Sequence, residues 1–333
     1  MKVLKKILIG LLIFIVLLLV LTWFMPRDFD ITVTKKMDAP ANYVYNIVNN
    51  VNNVGKWDPW TQADNTMKVV MGDKTLGEGA SYAWTSDNSG TGELTIKSTS
   101  PGKKIEALIS SPQMGDCDVV YGFKPTKNGS EMSWNFKSTS SFPMNIMNVF
   151  MKGMVKKQFN IGLDNINKLA KQRSENSYNG FTVKEEMIGE KNYVINRGEV
   201  SLDKIQQFYT QNLGPLFQKI QSAGVEMDGK PSALIYSYNP IKGVADMATG
   251  IPISEAVAIS GASAQSIPAG KAIVVDYYGD YASSEIAHLA IDDYLKDRGL
   301  FHNYPVLEEY VTDPSKEKDP EKWLTRIIYY LSE

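Results

Sequence analysis

Glu308 and Tyr310 are the residues whose types and spacing best suit binding chemistry. They lie in Pro305-Val306-Leu307-Glu308-Glu309-Tyr310-Val311-Thr312-Asp313-Pro314, where 305–312 reads as a strand. Side chains alternate along a strand, so Val306, Glu308 and Tyr310 share one face and Leu307, Glu309 and Val311 the other. A carboxylate beside a tyrosine on a largely apolar strand costs free energy to bury unless something meets it. The alternative is a solvent-exposed Glu308, and the doubled glutamate leaves open which of Glu308 and Glu309 turns inward. Four aromatics could complete an anionic site: Tyr236 and Tyr238 on one strand face, Tyr281 at the start of a helix, and Trp323 opening the last strand. An aromatic face attracts an organic cation by about 0.5–2 kcal/mol, depending on desolvation. Each of these rings serves equally well as core packing, Trp323 above all.

Other chemistries are poorly equipped. The two histidines, His288 and His302, have no cysteine partner, so neither a zinc site nor a Ser-His-Asp or Cys-His centre is expected. Cys117 is the only cysteine and reads as a buried, inert thiol, which excludes an intrachain disulfide. Asp116 and Asp118 beside it would share one strand face and read as solvated. Glycines do not gather into a phosphate loop. The formal charge of −2 offers no basic face for nucleic acid. No cofactor, metal or nucleic-acid partner is expected.

The elements that must position these residues form a repeat. Residues 192–200 read as a strand, 202–223 as a helix, and 231–238 and 253–259 as strands. Then 270–278 reads as a strand, 285–298 as a helix, and 305–312 and 323–331 as strands. This β-α-β-β unit, occurring twice, would leave a groove between its copies, a natural ligand site. The half closely resembles the GyrI-like effector-binding domain, the ligand-sensing part of AraC- and MerR-type regulators. The matching residues are Ile267-Pro268-Ala269-Gly270, Tyr277-Tyr278-Gly279-Asp280-Tyr281, the helix end Arg298-Gly299-Leu300, the Glu308 strand, and Trp323 to Leu331. The resemblance implies that Glu308 stands in the groove and meets cationic or polar ligands. It also implies a second activity, hydrolysis of small electrophilic compounds, with Glu308 as base and Tyr310 as orienting donor. That role requires burial to raise the carboxyl toward the working pH.

The first half has a different pattern. Residues 29–36 alternate as a strand, Asp38-Ala39-Pro40 precedes a short helix carrying Tyr43, Val44, Ile47 and Val48, and Trp57-Asp58-Pro59-Trp60 follows as a loop. Strand-like runs at 66–72, 79–86, 91–99, 103–111, 116–124 and 130–139 lead to Pro143. After it a long amphipathic helix is expected, with Ile146, Val149, Phe150, Met154, Phe159, Leu163, Ile166 and Leu169 on one face. This order resembles the polyketide cyclase/START-like (SRPBCC) superfamily, a helix-grip fold whose members hold an apolar ligand between curved sheet and long helix. Trp57, Trp60, Met147 and Met151 could line such a second cavity, or pack a core.

Ile7 to Phe24 runs without a charge behind Lys2, Lys5 and Lys6. The run suits a single-pass transmembrane signal anchor better than a cleaved signal, whose apolar region is shorter and ends in small residues. Lysines before the span favour an inside N-terminus. The expectation is an α+β chain on the cytoplasmic (inner) membrane with its soluble domains on the periplasmic or extracellular side. Its parts are a transmembrane helix within 1–27, a START-like domain over 28–172, a linker at 173–180, and a duplicated GyrI-like domain over 181–333. Three functions fit: a membrane-anchored binder of amphiphilic or cationic molecules with two modules, the hydrolase, and an envelope scaffold without ligand.

Overall fold

The computed structural model describes residues 2–332, and the chain folds as two compact units, Met1–Ser174 and Glu175–Glu333. The first opens with helix α1 (Lys2–Trp23), whose stretch Leu4–Trp23 is long and apolar enough to cross a membrane. Strand β1 (Asp28–Met37) and helices α2 (Ala41–Asn49), α3 (Val54–Trp57) and α4 (Pro59–Ala63) follow. Then come β2 (Lys68–Met71), β3 (Ser81–Ser86), β4 (Gly90–Ser100), β5 (Lys104–Ser111), β6 (Gly115–Thr126), β7 (Gly129–Thr139) and the long helix α5 (Met147–Ser174). Among the described residues these strands make one antiparallel sheet in the order β1-β7-β6-β5-β4-β3-β2.

The segment expected as a tryptophan loop is two short helices. Asp58 ends the first and caps the second, its carboxylate accepting from Thr61 N at 2.8 Å, and Pro59 takes the first helical position. Between sheet and α5, Trp134 stacks on Phe159 with centroids 4.1 Å apart, and Trp57 and Trp60 meet Trp134 edge-on. This close approach needs Gly162. A Cβ there would lie 2.7 Å from Trp134 Cζ3 and 3.2 Å from Pro59. Gly162→Val should therefore destabilise the first unit by about 1–3 kcal/mol through overpacking, read as a lower melting temperature.

The expected apolar face of α5 holds only in part. Val155, Phe159, Leu163 and Ile166 are buried, whereas Val149, Phe150 and Met154 are exposed. The helix carries two apolar stripes, and a single sheet can cover only one of them.

The second unit begins where a linker was expected. Strands β8 (Ser177–Tyr178) and β9 (Phe181–Thr182) form a tight hairpin, with Asn179 and Gly180 at φ 50° and 89°. Next are β10 (Lys184–Ile188), β11 (Lys191–Ser201), α6 (Ile205–Ser222), β12 (Ser232–Asn239), β13 (Val244–Ile253) and β14 (Ser263–Ile267). They are followed by β15 (Gly270–Tyr278), α7 (Glu285–Arg298), β16 (Val306–Tyr310) and β17 (Leu324–Tyr330). The sheet order β10-β15-β17-β16-β12-β13-β11-β14 is a repeat folded about its centre. Outward from the β12–β16 pair, both halves run second, third and first strand of a β-α-β-β unit. The strand expected at 253–259 is instead β13, ending at Ile253. Almost every residue of β13 is buried, so no alternation marks it in the sequence.

Candidate functional site

Glu308 occupies the centre of this sheet. It pairs with Ala233 on β12 and Ile327 on β17, and it is buried. Its Oε1 accepts from Ser284 Oγ at 3.0 Å and lies 2.7 Å from His288 Nε2, and its Oε2 accepts from the Tyr310 hydroxyl at 2.9 Å. Ser284 and His288 stand one helical turn apart, at the start of α7, so one helix face delivers both to the same oxygen. His288 Nδ1 lies 3.0 Å from the Tyr329 hydroxyl. With Glu308 ionised, Nε2–H donates to it, and Nδ1 is left facing the Tyr329 hydroxyl.

Burial pushes the Glu308 carboxyl up. The hydrogen bond and charge of His288, with the hydrogen bonds from Tyr310 and Ser284, outweigh it and hold the carboxyl below the ordinary glutamate range. The base role set out for Glu308 requires the opposite direction. Burial and the adjacent carboxylate drive the Tyr310 phenol well up, so it stays protonated and donates.

A chain of rings leads away from the carboxylate. Tyr310 meets Tyr209 edge-on at 4.9 Å and Tyr281 at 5.0 Å, and Tyr281 stacks on Trp323 at 5.0 Å. Tyr281 is set by the turn that leads into α7. Tyr277 donates its hydroxyl to Asp280 O, and a Cβ at Gly279 (φ 154°) would meet that hydroxyl oxygen at 2.4 Å. Asp280 then accepts from Ala282 N. The Tyr281 hydroxyl donates to Thr312 O and the Trp323 indole to Glu317 O, so the polar ends are tied to backbone. The Tyr209 hydroxyl is buried with no hydrogen-bond partner among the described residues.

The structure thus brings Glu308, Tyr310, Tyr281 and Trp323 together and separates Tyr236 and Tyr238 from them. Tyr236 packs with Leu234 and Leu307, on the sheet face opposite Glu308, under the Arg197 guanidinium at 3.5 Å. Tyr238 is exposed, beyond a bulge at Tyr236 that breaks the expected alternation. Glu309 also faces away, ion-paired to Lys191 at 2.8 Å. Sequence reasoning weighed His288 only as a metal ligand or triad member and did not consider Ser284, Tyr209 or Tyr329. The signal available was the i, i+4 spacing of Ser284 and His288 just after the Tyr-Gly-Asp-Tyr turn.

In the first unit the residues proposed for a second cavity are dispersed. Trp57 lines a void of about 10 Å³ with Val48, Val51, Tyr82, Leu94 and Tyr121, room for about one water. Trp60 packs on Trp134 and Phe159, Met151 packs against the core, and Met147 is exposed. Among the described residues no cluster of three or more His, Cys, Asp or Glu side chains is placed to hold a metal.

The second unit is thus a duplicated β-α-β-β sheet with a hydrogen-bonded carboxylate at its centre and a train of aromatics beside it. The model of the GyrI-like small molecule binding domain matches residues 181–331, and this stretch is such a domain. Similar solved structures include the crystal structure of the EcmrR C-terminal domain, with 18% identity and TM-score 0.42, covering 46% of this chain and 98% of that one. Another is the EcmrR–DNA complex by cryo-electron microscopy, with 16% identity and TM-score 0.44, covering 58% of this chain and 73% of that one. A third is a protein from Chromobacterium violaceum, with 14% identity and TM-score 0.34, covering 43% and 97%. No curated protein matches the chain.

Proposed function

We propose that this chain is a membrane-anchored receptor for small organic cations, bound beside Glu308. The observation that carries the reading is the buried, ionised carboxylate of Glu308 at the head of the Tyr310–Tyr281–Trp323 ring train. An ammonium group would pair with the carboxylate while its apolar substituents lie against the rings. The GyrI-like domain supports small-molecule binding as such; the cationic class comes from Glu308. The exposed apolar helix α1 and its leading lysines support a single-pass anchor with the N-terminus inside and both units outside the cytoplasmic membrane. The first unit, a sheet gripped by one long helix in the START-like manner, serves as a scaffold, because aromatics fill the space a ligand would take.

Calorimetric titration of the chain in nanodiscs with benzyltrimethylammonium tests the reading. Saturable binding of the cation, with much weaker binding of its neutral carbon isostere neopentylbenzene, is the expected result. Equal affinity for the two would remove Glu308 from recognition.

A further inference from the structure

The second apolar stripe of α5 is left exposed by the described residues, and its position says what covers it. Met144, in the 3₁₀ turn leading into α5, and Met147, Phe150 and Met154 in the helix recur at intervals of three or four residues and therefore line one side. Phe150 is 71% exposed, Met144 63% and Met154 56%. A contiguous row of large apolar side chains in water is costly and marks an interaction surface rather than scattered exposure.

The base of this helix is fastened to the end of α1. Asn145, 1% exposed, donates its side-chain amide to Thr22 O at 2.8 Å and to Met25 O at 3.0 Å, tying the last turn of α1 and the residues just after it to the base of α5. Asn148 donates to Arg27 O at 3.1 Å, and Phe142 meets Trp23 edge-on at 5.6 Å. The stripe is therefore continuous with the apolar surface of α1 at the end where Trp23 and Phe24 stand exposed. Of the exposed lysines at 152, 156 and 157, Lys157 lies on the same side as Phe150 and Met154, a basic side chain beside apolar ones that suits anionic lipid headgroups.

We infer that the first turns of α5 dock on the headgroup–acyl boundary of the bilayer that α1 spans, with Phe150 and Met154 inserted. The inference rests on the anchoring proposed for α1. Docking fixes the first unit against the membrane, where a single-pass anchor alone would leave it free to tumble. The methionines suit this surface because their flexible thioethers adapt to fluid acyl chains.

The test uses the full chain carrying Cys117→Ser, reconstituted in vesicles of phosphatidylcholine with a minor share of phosphatidylglycerol. A nitrobenzoxadiazole probe is placed in turn at Leu12→Cys, Phe150→Cys, Met154→Cys and Lys171→Cys, and nitroxide lipids serve as quenchers. Lys171 lies about 30 Å farther along α5 at about 1.5 Å per residue. Strong quenching at 12, 150 and 154 and none at 171 is expected. Quenching at 12 without quenching at 150 and 154 keeps the anchor and overturns the docking. Absence of quenching at 12 overturns the anchor and the docking with it. Equal quenching at 150 and 171 would show nonspecific contact and overturn the docked geometry.

Discussion

Glu308→Gln should lower affinity for benzyltrimethylammonium by about ten- to a hundredfold while leaving the second unit folded, since a close charge pair contributes about 1.5 kcal/mol or more. The amide fits the same partners. Its Oε1 can keep the Ser284 and His288 bonds, and its Nε2 can donate to the Tyr310 hydroxyl, which then accepts instead of donating. Only the negative charge is lost. The same variant has a pH signature. The folded state holds the Glu308 carboxyl below its ordinary range, so ionisation stabilises the fold fully above the unfolded value of about 4.3. That stabilisation fades as pH falls through the lower folded value. Melting temperatures of the unaltered chain should therefore drop more steeply below about pH 4 than those of Glu308→Gln. Parallel acid slopes, or unchanged cation affinity, would take Glu308 out of the site.

The repeat around this site was legible because its strands and helices are half-buried. The alternation of Val306, Glu308 and Tyr310 against Leu307, Glu309 and Val311 placed Glu308 and Glu309 on opposite faces, and the structure shows Glu308 as the one turned to the rings. Helix 285–298 and strand 270–278 fell where their patterns put them. Strand β13 was misplaced because it is buried on both sides, which removes the period that marks a strand. The edge strands β10 and β14 were missed because they are short and largely polar. Tyr236 was misassigned because the face of β12 that meets Glu308 is set by the pairing of Ala233 with Glu308, and no residue type announces that register.

His288 illustrates a deeper limit. A lone histidine in a helix carries no local sign of its partners, which here arrive 20 and 41 residues later, on β16 and β17. The two stripes of α5 pose the converse problem. Both read as core in the sequence, and only the sheet's position shows that Phe150 and Met154 are left outside.

His288→Leu should separate stability from binding more sharply than any other change. In the unliganded protein it removes the 2.7 Å partner of a buried carboxylate and strands the Tyr329 hydroxyl. The cost should be about 1–3 kcal/mol, and the melting temperature should fall. Burial then acts on Glu308 with only Tyr310 and Ser284 opposing it, so the carboxyl should rise from its present position below the ordinary range. At a pH well above that, Glu308 remains ionised and has lost the group that competes with an incoming cation. Benzyltrimethylammonium should then bind about three- to tenfold more tightly, a gain on the order of 1 kcal/mol, and the ligand-induced rise in melting temperature should grow as the starting value falls. Opposite movement of stability and affinity identifies His288 as an internal hydrogen-bond partner of Glu308 that a ligand displaces. If affinity falls together with stability, His288 instead holds Glu308 in its binding geometry, and the cation joins the pair rather than replacing one member.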